Sequence, residues 1–396
     1  MNRYLLAGSA AVALVLGSAA AHADTKFEVR ISGDAYFEAG YIDQDNDEGL
    51  RSTEFQNRVR FNIIPKATTD SGLEYGARIR LRAGTSNTTT TGDRAFIFLQ
   101  GGFGRVEAGV TNSYNDNQFV SAPTDYTPLG LVDRATGWIG GVTQTATGFR
   151  GADVGGGVGG ALGGLTWPTL VPDGNGSKIA YYSPRFGGLQ LGATYTPRSD
   201  SVNQDVNRVK RTSASGAAVT NNFQDLVEIG AQYKGEFGGV SLAASAGYFW
   251  GDASKSGSNA DNYKDLNAWQ VGAQVGFAGF SVGGSYLTYG KSGQNRGVGL
   301  YNDDFSNWTV GGQWKNGPLV VGVNYRQAED PGSLAIRGKR KVEFYEIGAG
   351  YTVAPGLTFQ AQYDYFEADS DLRHPVTGVS ADDKGHVFLV RSVLTF

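Results

Sequence analysis

The chain contains no cysteine, a single methionine at position 1, and three histidines at positions 22, 374 and 386. Without cysteine there can be no disulfide bond, no thiolate metal site and no cysteine nucleophile. Charged residues are also few, at 18% of the chain against a usual share of about 25%. Neither His374 nor His386 lies in a motif that pairs it with a serine, so we do not expect an enzyme.

Long hydrophobic runs are also missing, because no run of 18 apolar residues follows residue 23. A helical membrane span is therefore excluded from that part of the chain. The apolar stretch 5–16 follows Arg3 and precedes the small-x-small sequence Ala21-His22-Ala23. This pattern predicts that residues 1–23 are a secretory signal peptide that is cleaved, which leaves 24–396 as one domain. Without Arg3 that domain has 33 basic and 38 acidic side chains, so we expect no nucleic-acid partner.

Two-residue alternation begins directly after the predicted cleavage site. Phe27, Val29 and Ile31 share one face of the segment, and Glu28 and Arg30 point to the other. A strand with one apolar and one wet face produces this pattern. The alternation leaves two classes open: a soluble exported β-protein, or a membrane barrel whose lipid face consists of every second residue.

A repeat in the second half decides between the two classes. The sequences EIGAQY, QVGAQV, TVGGQW and EIGAGY place Ile229, Val271, Val310 and Ile347 at spacings of 42, 39 and 37 residues. Each copy leads through a short turn into a second alternating segment. Extended to the whole chain, this pattern predicts sixteen strands in which short turns alternate with long polar loops. Only a membrane barrel has reason to gather its long loops at one end, so the sequence predicts an all-β, 16-stranded antiparallel transmembrane β-barrel with periplasmic termini.

Aromatic residues are concentrated near both ends of the predicted strands. Phe237 and Trp314 lie beside short turns, whereas Trp250, Trp308 and Tyr365 lie nearer the loops. Rings at these positions are typical of the two interfacial belts of a membrane protein.

Three segments carry a resemblance to a known family: RVRFNIIPKATTDSGLEYGARIRL at 58–81, FIFLQGGFGRVEAGVTN at 96–112 and KIAYYSPRFGGLQLGATY at 178–195. With the closing strand that ends on Phe396, they make residues 24–396 resemble the Gram-negative trimeric general porins, especially those of the alphaproteobacterial type. One departure is that 112–176 contains no PEFGG sequence of the enterobacterial kind.

The resemblance implies a multi-pass protein of the Gram-negative cell outer membrane that forms a water-filled channel. It implies passive diffusion of small hydrophilic solutes and ions, and a long third loop, residues 112–176, that is folded into the pore and constricts it. The implied partners are two further copies in a homotrimer, outer-membrane lipid and lipopolysaccharide. Consecutive apolar residues such as Phe96, Ile97 and Phe98 are consistent with a subunit contact there. A substrate-specific outer-membrane channel remains the alternative function.

The strongest candidate site is a set of basic residues on the predicted inner face of strands two and three. The wet face carries Arg58, Arg60, Arg78, Arg80 and Arg82. A turn centred near Asp70 would place Arg60 opposite Arg80 and Arg58 opposite Arg82, about 5 Å apart at Cβ. Like charges at that spacing require water or carboxylates beside them. We therefore interpret the five arginines as the basic wall of the pore constriction.

The acidic counterpart is expected on the third loop. By the resemblance, Asp116, Asp125 and Asp133 face the arginine wall and form the acidic side of the constriction. The alternative interpretation is that these carboxylates have no role in the pore and only keep the loop soluble.

One further motif lies in the first loop, DQDNDEG. Asp43, Asp45 and Asp47 have the spacing of oxygen ligands for calcium, although Glu48 occupies the position where an EF-hand needs glycine. A Ca²⁺ site and a solvated acidic loop both remain open, and we expect no other cofactor.

Overall fold

A computed structural model provides the coordinates of the protein. It describes residues 26–45, 47, 50–83, 90–127, 138–139, 169–204, 206, 208, 223–253, 263–297, 301–331, 337–371 and 382–396. No helix within these ranges is long and apolar enough to cross a membrane.

Sixteen antiparallel strands of the described chain form one closed barrel, as the alternation predicted. Each strand pairs with its neighbours in sequence, and β1 pairs with β16 to close the sheet. One short helix, α1, follows β5. The elements are β1 Glu28–Gln44, β2 Thr53–Thr68, β3 Glu74–Ala83, β4 Thr90–Gly101, β5 Gly104–Val110, α1 Tyr114–Gln118, β6 Lys178–Tyr182, β7 Leu189–Arg198, β8 Phe223–Phe237, β9 Val240–Ala253, β10 Leu266–Phe277, β11 Phe280–Gly290, β12 Phe305–Asn316, β13 Leu319–Asp330, β14 Arg340–Ala354, β15 Leu357–Ser370 and β16 Asp383–Thr395.

The repeated sequence forms every second strand of the later barrel, β8, β10, β12 and β14. Its hydrophobic markers Ile229, Val271, Val310 and Ile347 are 41–55% exposed, so all four lie on the outer face. Large apolar side chains with this much exposure are unusual in water and suit a lipid-facing surface. The predicted outer parity is therefore confirmed for these strands.

The two ends of the barrel differ in their connections. At the turn end, two residues join each hairpin from β8 to β15, for example 238–239 and 278–279. The turn between β8 and β9 needs glycine, because Gly238 and Gly239 have φ of 56° and 81°. At the loop end, the connections are longer, and the segment between β5 and β6, residues 111–177, is the longest. We call this segment loop three.

Aromatic rings lie on the outer face near both ends of the strands. Near the loop end, the ring centroids of Trp308 and Tyr325 are 4.9 Å apart, and Tyr325 is another 4.9 Å from Tyr345. Near the turn end, Phe280 and Trp314 are 6.2 Å apart. The two belts expected from the sequence are thus present around this part of the barrel.

The inner face contains a feature that the alternation did not predict. On β9, β12, β14 and β15, Phe249, Phe305, Phe344 and Phe366 point inward near the loop end and are fully buried. They belong to a larger buried cluster that reaches from β8 to β16 and β1. We call this cluster the inner apolar belt. Where it runs, the inner wall is a packed hydrophobic surface, which corrects the expectation of a uniformly wet inner face.

The assignment of faces can be tested by a charge on the lipid side. Val323 lies on the outer face in the middle of β13 and is 53% exposed. We expect Val323→Arg to lower the free energy of unfolding in a phospholipid bilayer by about 2–4 kcal/mol, measured by denaturant titration in vesicles. Gln327, on the same face four residues nearer the loop end, is the matched control. Gln327→Arg should cost about 0–1 kcal/mol, and equal costs at the two positions would contradict the assignment.

Candidate functional site

The basic side chains of β2 are held in place by a carboxylate of β1. Asp34 is the register partner of Arg60, and both side chains point inward. Arg58 Nη2 donates to Asp34 Oδ2 at 2.8 Å, and Arg60 Nε donates to Asp34 Oδ1 at 2.8 Å. One carboxylate therefore fixes two guanidinium groups and offsets one of their two charges.

The arginines of β3 have partners on both neighbouring strands. Arg80 binds Asp93 of β4 through both carboxylate oxygens, at 2.7 and 2.8 Å. Arg82 Nη1 lies 3.6 Å from the same carboxylate. Arg78 donates twice to Asn62 Oδ1, at 3.0 and 2.7 Å. The side chains of these residues are thus fixed against the inner wall.

The register between β2 and β3 differs from the prediction by two residues. Arg60 lies opposite Arg82, and Asn62 lies opposite Arg80. The reason is the turn, in which Gly72 takes a φ of 83° and Thr69 N bonds Leu73 O at 2.9 Å, so that the hairpin is centred on Ser71. A shift of two residues keeps every side chain on its predicted face. The five predicted arginines therefore still share the inner wall, where Arg94 of β4 joins them.

We call these six residues, Arg58, Arg60, Arg78, Arg80, Arg82 and Arg94, the arginine wall. Asp34 and Asp93 are its carboxylate partners within the strands, and their side chains are 13% and 10% exposed. Six positive charges against two negative ones leave the wall basic. Neither aspartate was among the predicted constriction residues, although Asp34 had the inward parity and lies two residues from Tyr36 on the same face.

Loop three begins on the inner wall at α1 and then crosses several strands. The Tyr114 backbone N–H donates to Thr194 Oγ1 of β7 at 2.9 Å. Val120 N donates to Ser245 Oγ of β9 at 2.8 Å. Asp125 N donates to Gln313 Oε1 of β12 at 2.8 Å, and the Tyr126 hydroxyl donates to Glu346 of β14. The described residues 112–127 are therefore attached to the wall from β7 to β14.

Glycines make this close approach possible. A Cβ at Gly192 or Gly230 would overlap the ring of Tyr114 or the side chain of Asn115. On the far side, a Cβ at Gly322 would overlap the ring of Tyr126, and one at Gly348 would lie 2.8 Å from its Cδ2. The wall thus presents inward-facing glycines where the rings of loop three pack. We call these four residues, Gly192, Gly230, Gly322 and Gly348, the glycine cradle.

The later described parts of loop three pack on the inner apolar belt. Leu170 is fully buried and Ile139 is 7% exposed, and both belong to the buried cluster. Phe119 and Trp138 pack against the same cluster, and Trp138 Nε1 donates to Glu38 Oε1 of β1 at 2.9 Å. Hydrophobic burial of this kind, at roughly 25 cal/mol per Å², holds these parts of loop three against the strands from β8 round to β1.

The three predicted loop aspartates have different surroundings. Asp116, in α1, is half-buried and interacts electrostatically with Arg94, Lys178 and Arg80. Asp125 lies against Gln313 of β12, where its Oδ2 accepts from Nε2 at 3.0 Å. Asp133 lies outside the described residues. The structure thus brings Asp116 to the arginine wall, whereas Asp125 contacts a different part of the barrel.

Burial raises the pKa of the Asp116 carboxyl to about 6, and the negative charge of Asp173 adds to this effect. The charges of Arg94, Lys178 and Arg80 oppose the increase without cancelling it. Asp173 itself forms an ion pair with Lys178 beside β6. Asp116 is therefore the loop carboxyl whose charge changes near neutral pH next to the arginine wall.

The loop-one aspartates were predicted to offer oxygen ligands to Ca²⁺. Within the described ranges, no three or more His, Cys, Asp or Glu side chains are grouped so that they could hold a metal ion. Asp43, Asp45 and Asp47 are described and are all exposed. The Ca²⁺ interpretation remains a prediction.

The segment 279–283, GFSVG, has the G-x-S-x-G pattern of serine hydrolases. It lies at the hairpin of β10 and β11, not at the strand-to-helix turn that this catalytic motif requires. His386 is on the outer face, with its Nδ1 2.8 Å from the Tyr363 hydroxyl.

A closed barrel with an apolar exterior, a basic inner wall and an inserted loop defines a transmembrane channel. A model of the family described as Gram-negative porin matches residues 10–371, and the chain belongs to this family. It is therefore a multi-pass outer-membrane porin channel and not an enzyme.

The chain is also similar to individual proteins. An uncharacterized protein of Rickettsia bellii is 23% identical, with 93% of each chain covered. The porin of Rhodobacter capsulatus is 38% identical over 82 residues, which are 21% of this chain and 24% of that one.

Solved structures have the same fold. A mutant of the Rh. blastica porin gives a TM-score of 0.53 at 19% identity, covering 93% of this chain and 100% of that one. OmpT of Vibrio cholerae gives a TM-score of 0.56 at 14% identity, covering 93% and 99% of the two chains.

The role of the glycine cradle can be tested at Gly322. We expect Gly322→Val to displace Tyr126 from β13, to destabilise the folded protein by about 1–3 kcal/mol through overpacking, and to increase single-channel conductance. Gly312→Ala, on the neighbouring strand, is the control, because a Cβ there comes no closer than 3.3 Å to another atom. Unchanged conductance in folded Gly322→Val would show that the contact of Tyr126 does not narrow the lumen.

The charge of Asp116 should make ion selectivity depend on pH. Its pKa is raised, so the carboxyl is negative above about pH 6 and neutral below it. Lowering the pH from 7.5 to 5 should therefore remove a negative charge beside the arginine wall and move the reversal potential in a KCl gradient toward anions. Asp116→Asn should show, at both pH values, the reversal potential that the wild type has at pH 5. Asp125→Asn is the control and should keep the change of reversal potential between pH 7.5 and 5. If Asp116→Asn also kept this change, another group would be responsible for it.

Proposed function

We propose that this porin is a general diffusion channel with a weak preference for anions. The observation that carries the proposal is the arginine wall on β2–β4 with loop three bound to the opposite strands. In this arrangement the loop reduces the open cross-section, and the water-filled space that remains borders the basic side chains. Solutes would be selected mainly by size and then by charge.

The strength of the preference follows from the ion pairs within the wall. Asp34 offsets part of the charge of Arg58 and Arg60, and Asp93 does so for Arg80. The pairs are partly exposed to the lumen, where water weakens the field of each remaining charge. A small excess of positive charge next to water gives a modest attraction for anions, not a tight binding site.

We also propose that the channel assembles as a homotrimer in outer-membrane lipid and lipopolysaccharide. Support comes from the family resemblance and from the Vibrio cholerae neighbour, OmpT, whose structure is of a trimer form. Phe55 and Ile97 on the outer face are 65% and 62% exposed and would suit either lipid or a subunit contact. Phe96 and Phe98, in contrast, are buried on the inner face, and Phe98 lies 4.2 Å under the Arg105 guanidinium. Because these two rings point inward, they do not support a subunit contact on the outer face.

The proposal is tested by planar-bilayer recordings. We expect a conductance that rises with KCl concentration without saturating, and permeation of neutral sugars that falls steadily with their size. Arg60→Ala with Arg80→Ala should enlarge the opening and move the reversal potential toward cations. The shift should be small at 1 M salt, where the Debye length is about 3 Å against about 10 Å at 0.1 M.

Lys315, at the turn end of β12, supplies the control variant Lys315→Ala, which removes a positive charge outside the arginine wall. Its reversal potential should stay close to that of the wild type. Saturating conductance would favour a substrate-specific channel instead. Unchanged reversal potentials in the double arginine variant would show that the wall does not set selectivity.

A further inference from the structure

A separate recess opens into the lumen below α1, on the side of the turn end. Its volume is about 540 Å³, and its walls come from the ends of β4–β7 and from α1. It lies beside the β4–β5 turn and the segment 183–188. Arg78 marks its border with the arginine wall, because the charges of Arg105 and Glu107 act on that guanidinium. We call it the turn-end recess, and its main polar side chains are Gln100, Arg105, Asn117, Gln118, Arg185 and Gln190.

Two guanidinium groups are held at fixed positions in this recess. Arg105 Nε donates to Glu107 Oε1 at 2.7 Å, and its Nη1 donates to Gln100 Oε1 at 2.9 Å. Stacking on Phe98 further limits its motion. These contacts orient a planar donor group that still has 29% of its side chain exposed. A guanidinium oriented in this way is suited to a carboxylate.

The second guanidinium comes from the segment after β6. Arg185 Nη1 donates to Gly188 O at 3.1 Å, and Nη2 donates to Gln232 Oε1 of β8. Nη2 also lies 3.3 Å from Gln190 Oε1 and 3.4 Å from Gln118 Oε1. Arg185 is exposed to the recess. It is thus positioned between the barrel wall and loop three, and both guanidinium groups line the same recess.

The charges and the remaining polar groups define the class of ligand. Arg105 and Arg185 contribute two positive charges, and the buried Glu107, which also accepts from Thr111, contributes one negative charge. The recess therefore matches a single negative charge. Its amide groups and the Tyr182 hydroxyl offer donors and acceptors suited to alcohol groups. A neutral sugar would leave the guanidinium groups unmatched, whereas a simple inorganic anion would leave the amides unused.

We propose that the turn-end recess is a low-affinity binding site for small polyhydroxylated monocarboxylates, of which gluconate is the representative. The inference rests on the proposed diffusion function, because the ligand reaches the recess through the open lumen. Occupancy by such an acid would place a solute beside α1 and narrow the conducting path.

The test measures K⁺ current through single channels while gluconate is added at constant ionic strength. We expect a saturable reduction of the current by gluconate and no saturable reduction by glucose, which has similar size and no charge. In Arg105→Gln with Arg185→Gln, the half-blocking concentration should increase by about tenfold, as expected for loss of charge-assisted hydrogen bonds. Lys315→Gln removes a positive charge from the same end of the barrel outside the recess and should keep the wild-type value.

The possible outcomes separate the two proposals. If neither the wild type nor any variant conducts, the proposed diffusion function is wrong. If KCl conductance is normal but gluconate reduces the current no more than glucose does, the binding site is refuted while the channel stands. Equal loss of block in Lys315→Gln would also refute it, because the effect would then come from total charge. Arg105→Gln alone, which leaves the Arg185 contacts with loop three intact, provides a second variant with a block weaker than that of the wild type.

Discussion

The pairing of every strand with two neighbours is the constraint on which the remaining structure depends. A backbone N–H or C=O that faces hydrocarbon without a partner costs several kcal/mol, so a sheet that crosses a membrane must have no free edge. The pairing of β1 with β16 meets this requirement, and Gly33 N and Phe396 O, 2.7 Å apart, extend it to the last residue. Once the sheet is closed, its two faces have different solvents. The outer face becomes apolar, and the inner face is available for the arginine wall and loop three.

The described parts of loop three lie against the inner wall of the barrel. Their docking combines several kinds of contact, each on a different part of the wall: backbone N–H bonds to serine and threonine hydroxyls, rings on the glycine cradle, and apolar side chains on the inner apolar belt. Each contact is modest, but together they occupy the strands from β7 onward. On β2–β4, the ion pairs keep the arginine side chains against the wall.

Much of the fold could be predicted from the sequence, because the period of two residues is a direct consequence of strand geometry. The copies around Ile229 and Val271 even showed which parity faces lipid. The register of Arg60 could not be read in the same way, because it depends on where the chain turns, and Gly72 moved that turn by one residue. The inner apolar belt was missed because Phe249 lies between Tyr248 and Trp250, where three consecutive aromatics hide the alternation. The position of Asp125 depends on the path of loop three, which local sequence does not encode.

The contact between Tyr126 and Glu346 joins residues that are 220 positions apart in the chain. The surface to which this part of loop three binds is therefore absent until β13 and β14 have been added to the sheet. Contacts of such long sequence separation form late and slowly. The contacts that hold this part of loop three therefore depend on strands from the C-terminal part of the barrel.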